Sequence, residues 1–235
     1  MREYLTFNGI SSADFDCYVA DANQFDAPPR DVESINVPGM NGSLTIDNGR
    51  FMNQEITYAM YVRGDIRRRI MGIRNAFAAV QGYQRLEDTY NPEEFYLARY
   101  SGVAVDQSDR HRAGFKITFD RKPQRFLKTG EMPIEITAAS SSIWNEEKFA
   151  ALPLIRAYGT GSFSIGGVAV SISAADTYTD IDCELQEAYK DTLATNKNAY
   201  VTLTNGKFPQ LNPGTNAVTI TGLSKIIVYP RWWRV

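Results

Sequence analysis

The sequence predicts a mostly β fold of two domains with a single α-helix. Many short segments, such as Gln54–Val62 and Gly114–Phe119, alternate apolar and polar residues with a period of two, which is typical of strands with one buried face. Asn-Gly pairs at 41–42, 48–49 and 205–206 can supply the positive φ angles that tight turns require. Alternating strands joined by such turns indicate packed antiparallel sheets.

The first half of the chain contains the one predicted helix. Further strands are expected at Ser34–Val37, Ser43–Ile46 and Glu94–Tyr100. Between strands, apolar residues recur at gaps of four and three and therefore share one side of a helix: Ile66, Ile70, Ile73, Phe77 and Val80. Asp65 can cap the start of this helix and Gly82 can end it. We expect the helix to lie on a sheet of the first domain.

The composition shifts after Pro123, which places a domain boundary near Gly130 and gives domains of residues 1–130 and 131–235. Seven strands are predicted in the second domain: Leu154–Tyr158, Ser162–Ile165, Val168–Ile172, Asp180–Leu185, Ala199–Leu203, Asn216–Ile220 and Lys225–Tyr229. Strands at this spacing without a convincing helix suit a sandwich of two antiparallel sheets.

The bulk composition excludes several classes of protein. The chain has 235 residues, of which 43% are hydrophobic, so it can bury sizeable cores. Its formal net charge of -2 gives no overall attraction to nucleic acid or to anionic membranes. No apolar run approaches the length of about 20 residues needed to span a bilayer, and no signal peptide is visible at the start. Two distant cysteines, Cys17 and Cys183, favour a reduced cytosolic folding environment.

No residue pattern predicts catalysis, a metal site or a cofactor site. The single histidine, His111, lies in a polar segment and is interpreted as a surface residue. Asp180, Asp182 and Glu184 alternate along one predicted strand, and we interpret them as its solvated face in preference to catalytic carboxylates or a calcium site. The run from Gly159 to Ser164 lacks the third glycine of a dinucleotide-binding loop, so a hairpin turn explains it better.

Aromatic and basic residues leave two further alternatives open. Trp144, Trp232 and Trp233 could stack on a sugar ring or contact a partner, although core or interface packing is favoured for Trp232 and Trp233. The arginines at 67–69 could touch nucleic acid, but a solvated or subunit-facing helix side fits the near-zero net charge better.

Four stretches in order along the chain resemble the distal tail proteins of siphophages. Three are Phe7–Phe15, Val37–Leu44 and Arg121–Leu127, and the fourth is the last third of the chain, read from Leu152–Ile155 through Gly159–Gly167 and Phe208–Asn216 to the aromatic end Tyr229–Trp233. The resemblance implies an N-terminal β-sandwich-like belt domain with one helix, followed by a C-terminal galectin-like antiparallel β-sandwich. In that family six copies close into a ring whose wall is formed by the N-terminal domains.

The resemblance also implies partners and a location. The ring would join the major tail tube protein to the tail-associated lysin or fibre protein, and in several phages it also anchors receptor-binding proteins. The genome would pass through the opening without sequence-specific binding, and no membrane would be involved. The protein would be made and assembled in the host cytoplasm and end at the virion tail tip.

Residues Arg67, Arg68, Met40 and Asn41 are the predicted ring contacts, and Trp144, Trp232 and Trp233 the predicted carbohydrate or partner contacts. The alternative function is a carbohydrate-binding, lectin-like module of a phage or bacterial surface protein. Galectins use a histidine-containing sugar-binding strand that this second domain lacks, which argues against that particular route. A wall hydrolase using Asp180 and Glu184 is a third and weaker hypothesis.

Overall fold

The computed structural model describes residues 2–22, 26–108 and 111–235. The chain divides into two compact units, one of residues 1–125 with Val235 and one of residues 126–234. The division falls within the long strand Arg112–Leu127, near the boundary predicted around Gly130. None of the helices in the described part of the chain is long and apolar enough to cross a membrane.

Unit 1 contains a large antiparallel sheet, one helix and a separate two-stranded hairpin. Its elements are β1 (Leu5–Phe7), β2 (Ile10–Ser11), β3 (Cys17–Ala22), β4 (Arg30–Ile35), β5 (Leu44–Phe51), β6 (Gln54–Arg63), α1 (Ile66–Ala78), β7 (Gln84–Asp88), β8 (Glu94–Ser108) and β9 (Arg112–Leu127). Seven of these strands form the sheet in the order β2-β1-β7-β8-β9-β6-β3, whereas β4 and β5 pair only with each other. A bridge between Glu3 and Val19 brings the two ends of the large sheet together.

The helix α1 closes the core of unit 1, as its apolar stripe predicts. Asp65 caps its start by accepting a hydrogen bond from the Arg68 amide. Its buried side chains pack against an aromatic cluster, in which the Phe77 ring lies 5.6 Å from that of Phe7 and 6.0 Å from that of Phe119. The helix ends at Ala78, before Gly82, so this glycine starts the following turn instead of ending the helix directly.

Unit 2 is a sandwich of two antiparallel sheets, which confirms the predicted architecture. Its strands are β10 (Ile134–Ile136), β11 (Ser140–Asn145), β12 (Leu154–Tyr158), β13 (Gly161–Ile165), β14 (Val168–Ile172), β15 (Tyr178–Asp182), β16 (Glu187–Lys190), β17 (Thr192–Asn196), β18 (Val201–Leu203), β19 (Gly214–Thr221), β20 (Lys225–Tyr229) and β21 (Trp233–Arg234). One sheet has the order β10-β20-β12-β15-β16-β17 and the other the order β11-β19-β13-β14-β18. Ile155, Phe163 and Val218 lie in the core that the two sheets enclose.

Two glycine motifs take other conformations than the sequence predicts. Asn48-Gly49 lies inside β5, where Gly49 has a φ of 72° and the register shifts by a bulge, because the hairpin turn forms earlier, at residues 36–43. The Gly159-Thr160 pair joins β12 to β13, which belong to different sheets, so it is not a hairpin turn. Gly161 is required there because a Cβ would lie 2.4 Å from the Thr221 carbonyl oxygen.

Candidate assembly surfaces

The β4–β5 hairpin of unit 1 exposes an apolar face. Residues directly opposite in an antiparallel pair share a face, and here Glu33 lies opposite Ile46 while Ile35 lies opposite Leu44. The exposed fractions of Ile35, Leu44 and Ile46 are 43%, 51% and 44%. We call these three residues with Glu33 the hairpin face. Apolar side chains gathered on one exposed face make the hairpin face a candidate interaction surface.

The turn of the hairpin carries two of the predicted ring contacts. Pro38 and Gly39 occupy the centre of a tight turn in which the Met40 amide donates to the Val37 carbonyl at 3.1 Å. Gly39 has a φ of 83°, which a side chain would strain. Met40 and the adjacent Asn41 are both exposed at this turn, so the structure places them on the same hairpin as the hairpin face.

The charges of the hairpin are mostly paired within it. Arg30 pairs with Asp47 at 3.3 Å, and Arg50 pairs with Asp31 at 2.6 Å. The hydrogen bond from Arg50, followed by that from Asn48, lowers the pKa of the Asp31 carboxyl. Pairs of this kind fix the side chains along the ribbon but contribute little stability because they are exposed.

The second candidate surface of unit 1 is rich in arginine and tyrosine. Arg2, Tyr18, Tyr61, Arg63 and Arg69 line a hollow of about 180 Å³, and we call them the arginine–tyrosine surface. The Tyr18 and Tyr61 rings lie 5.9 Å apart, with the Arg2 guanidinium 5.0 Å from the Tyr18 ring. Tyrosine and arginine are the residue types that dominate the energetics of protein interfaces.

The hollow of the arginine–tyrosine surface contains three arginines and one acidic residue, Asp16. Arg69 pairs with Asp16 at 2.8 Å and also donates to the Arg63 carbonyl. The predicted ring residues Arg67 and Arg68 are exposed on the first turn of α1, next to Arg69 in the chain. Asp14 and Asp65 line a further hollow with Arg68 and Arg69, so this side of unit 1 has five arginines against three aspartates and a net positive charge.

The three tryptophans lie in unit 2 in different environments. Trp144 is 61% exposed on β11, an edge strand, with its ring above Gly214. The Trp233 ring stacks on Phe149 at 4.5 Å, and its indole nitrogen donates to the Ala150 carbonyl at 3.0 Å. Trp232 also packs against the core of unit 2. Of the predicted contact residues, Trp144 is thus the one whose ring is open to a partner.

The acidic strand of unit 2 is not solvated, which corrects the sequence interpretation. Asp180 and Asp182 are each 2% exposed. Arg156 donates to both oxygens of Asp180 at 2.7 and 2.9 Å, and Arg231 donates to both oxygens of Asp182 at 2.8 Å. Glu184 lies 3.5 Å from Arg231. These carboxylates therefore form ion pairs with Arg156 and Arg231.

The remaining reactive side chains are one histidine and two cysteines. His111 is exposed. Both cysteines are buried and free, and burial raises the pKa of the Cys17 thiol to about 12, which keeps it protonated and unreactive. Among the described residues, no three histidine, cysteine, aspartate or glutamate side chains come together as a metal site.

Among the comparisons with known proteins, the comparison of structures is the informative one. No family model matches the chain, and no curated protein matches it in sequence. The solved structure of the phage SPP1 Dit (gp 19.1) protein matches with a TM-score of 0.77 at 16% sequence identity, covering 97% of this chain and 98% of that chain. That protein is described as a paradigm of the hub adsorption apparatus in phages infecting Gram-positive bacteria. The resemblance seen in the sequence is thus confirmed for the fold, and the chain has a Dit-like fold over nearly its whole length.

Proposed function

We propose that the chain is a structural hub at the tip of a long non-contractile phage or prophage tail, where six copies form a ring. The observation that carries the proposal is the hairpin face, an exposed apolar surface on a two-stranded ribbon whose outer edges are unpaired within the described chain. Such edges and apolar faces are normally protected in a monomer. A neighbouring copy would protect both.

A closed ring needs two different and complementary surfaces on each subunit, because each copy meets its neighbours head to tail. The hairpin face is apolar with the single acidic residue Glu33, whereas the arginine–tyrosine surface and Arg67 and Arg68 are basic. We infer that the hairpin of one copy lies against the arginine–tyrosine surface of the next, with the carboxylate of Glu33 facing an arginine.

The proposed partners follow from a hub position. One side of the ring would contact the major tail tube protein and the other the tail-associated lysin or fibre protein, with receptor-binding proteins as further partners. Acidic and basic residues balance within residues 1–130, which suits a wall that lets DNA pass without holding its phosphates. In this role the protein acts through shape and adhesion and catalyses no reaction.

The ring is tested by measuring mass in solution and imaging the purified full-length chain. We expect a species of six times the 26.4 kDa subunit mass and six-fold annuli in negative-stain micrographs. The variant with Leu44→Ser and Ile46→Ser should lower the assembly constant by at least tenfold, since two apolar side chains would no longer be buried.

The matched control is Leu193→Ser, which removes an equally exposed leucine from β17 of unit 2. This control should assemble like the parent chain. A chain that stays monomeric over the whole attainable concentration range, or a hairpin variant that assembles as well as the control, would contradict the proposal.

A further inference from the structure

A groove of about 470 Å³ opens at one end of the unit 2 sandwich. It is formed by the turn at Gly166 before β14, the turn after β15 at Cys183 and Gln186, and the segment from Gly206 to Asn212. Since β14 and β15 belong to different sheets, the groove lies between the ends of the two sheets. Its volume is in the usual range for small-ligand sites.

The rim of the groove carries three side-chain carboxamides, those of Gln186, Gln210 and Asn212. Within the described parts of the chain, none of the three side chains makes a hydrogen bond to a protein group. Each carboxamide offers two N–H donors and a carbonyl acceptor, so together they can bind a ligand that both donates and accepts hydrogen bonds. The lining contains no carboxylate and one cation, Lys207.

The carboxamides are presented by a fixed backbone. Leu211, between Gln210 and Asn212, is buried and exchanges two backbone hydrogen bonds of 3.0 Å with Ala151. The buried Asn216 side chain accepts from the Asn212 amide at 2.8 Å and donates to the Asn212 carbonyl at 2.8 Å. A ligand would therefore meet groups that are already ordered, which reduces the entropy lost on binding.

The floor of the groove supplies an apolar contact beside these polar groups. The Phe208 ring and the Leu152 and Val168 side chains are half-buried there, above the buried Cys183. A ring with hydroxyl groups on its rim and C–H groups on its faces matches this combination, because the faces pack on Phe208 while the hydroxyls bond to carboxamides. The groove is lined by turns and not by an open strand edge, so an extended peptide could not add to a sheet here.

We propose that this groove binds an uncharged saccharide of one to three sugar units. The site is independent of ring formation, so its test does not depend on the proposed function. In a hub it would bring the protein into contact with glycans of the host surface.

The full-length chain is titrated with the neutral trisaccharides maltotriose, cellotriose and N,N′,N″-triacetylchitotriose. Binding is measured by isothermal calorimetry and by chemical-shift changes of side-chain amides. At least one should bind saturably, with shifts at the carboxamides of the groove. Gln210→Ala and Asn212→Ala should each weaken that binding by about three- to tenfold, the effect of one lost hydrogen bond.

Gln81→Ala, at an exposed glutamine of unit 1, is the matched control and should bind like the parent chain. No saturable binding of any of the three sugars up to about 10 mM would overturn the proposal. Binding that is lost in Trp144→Ala but kept in both groove variants would overturn it as well. So would exclusive binding of a polyol phosphate that is lost in Lys207→Gln and in high salt.

Discussion

Asp182 shows how single residues stabilise unit 2. Burial by itself would raise the pKa of this carboxyl, but the hydrogen bonds from Arg231 and from the Leu185 and Glu184 amides outweigh burial and hold the pKa below its ordinary value of 3.8. A carboxyl with a lowered folded-state pKa stabilises the fold above its unfolded-state pKa, and this stabilisation is lost as the pH falls through the folded-state value. The pair should therefore weaken below about pH 4.

We predict that Asp182→Asn destabilises unit 2 at pH 7 by on the order of 2–3 kcal/mol, because Arg231 is left partly buried without its carboxylate. The loss should shrink below pH 4, where the parent carboxyl also becomes protonated. Denaturant unfolding followed by tryptophan fluorescence measures this, since all three tryptophans lie in unit 2. Asp176→Asn, which changes an exposed carboxylate paired with Lys197, is the control and should change stability little. Equal losses in the two variants would refute the prediction.

The same residues show what the sequence could not predict. Alternation along β15 places Asp180 and Asp182 on one face, and that part of the interpretation was right in geometry. What covers a face is a non-local property: Arg156 and Arg231 lie 24 and 49 positions away in the chain. Period-two patterns carry no information about such partners, so a buried ion-pair face was mistaken for a solvated one.

Among the elements, the β4–β5 hairpin differs most from its surroundings. It has two strands, and all of its side chains are exposed except the half-buried Asp31 and Phe51. An isolated two-stranded ribbon is marginally stable, so its backbone hydrogen bonds should open easily in a monomer. We predict fast amide hydrogen exchange in β4 and β5 at low protein concentration and at least tenfold slower exchange in the assembled state, as measured by mass spectrometry.

The strands β6 and β9 serve as the internal reference for that measurement, because they lie in the middle of the large sheet and should be protected at every concentration. Exchange in the hairpin that does not change on assembly would show that this element stays outside the interface.

Helices and strands could be predicted where the apolar periodicity of a single segment determines its secondary structure. The stripe of α1 and the alternation of β12, β14 and β20 fix those elements within a few residues. The strands β1 and β2, which have three and two residues, are too short for a period to show. The hairpin face was predictable as a strand face, but the pattern cannot tell whether an apolar face is buried by its own chain or by another copy. The resemblance to a family supplied that expectation instead.

At the scale of the whole molecule, a contact between two different surfaces makes a prediction that can be tested by mixing two variants. We call the arginine–tyrosine surface together with the adjacent Arg67 and Arg68 the basic surface. A variant with Leu44→Ser and Ile46→Ser keeps this basic surface, and a variant with Arg67→Glu and Arg68→Glu keeps its hairpin face. Each alone should be monomeric, but a mixture should form dimers, because the intact hairpin of one variant can bind the intact basic surface of the other. This mixed dimer cannot grow further, since the two surfaces that remain free on it are both defective.

Native mass spectrometry of the two variants, with one isotopically labelled, distinguishes these mixed dimers from dimers of a single variant. Replacing the second variant by Arg74→Glu, which changes an exposed arginine farther along α1, is the control and should leave ring formation by that chain intact. A mixture that stays monomeric would show that the two surfaces do not form a common interface, and a parent chain that itself stops at the dimer would indicate a two-fold contact. A closed ring of identical, directional contacts requires that the parent chain forms hexamers while the mixture of variants stops at mixed dimers, because each contact uses one hairpin face and one basic surface.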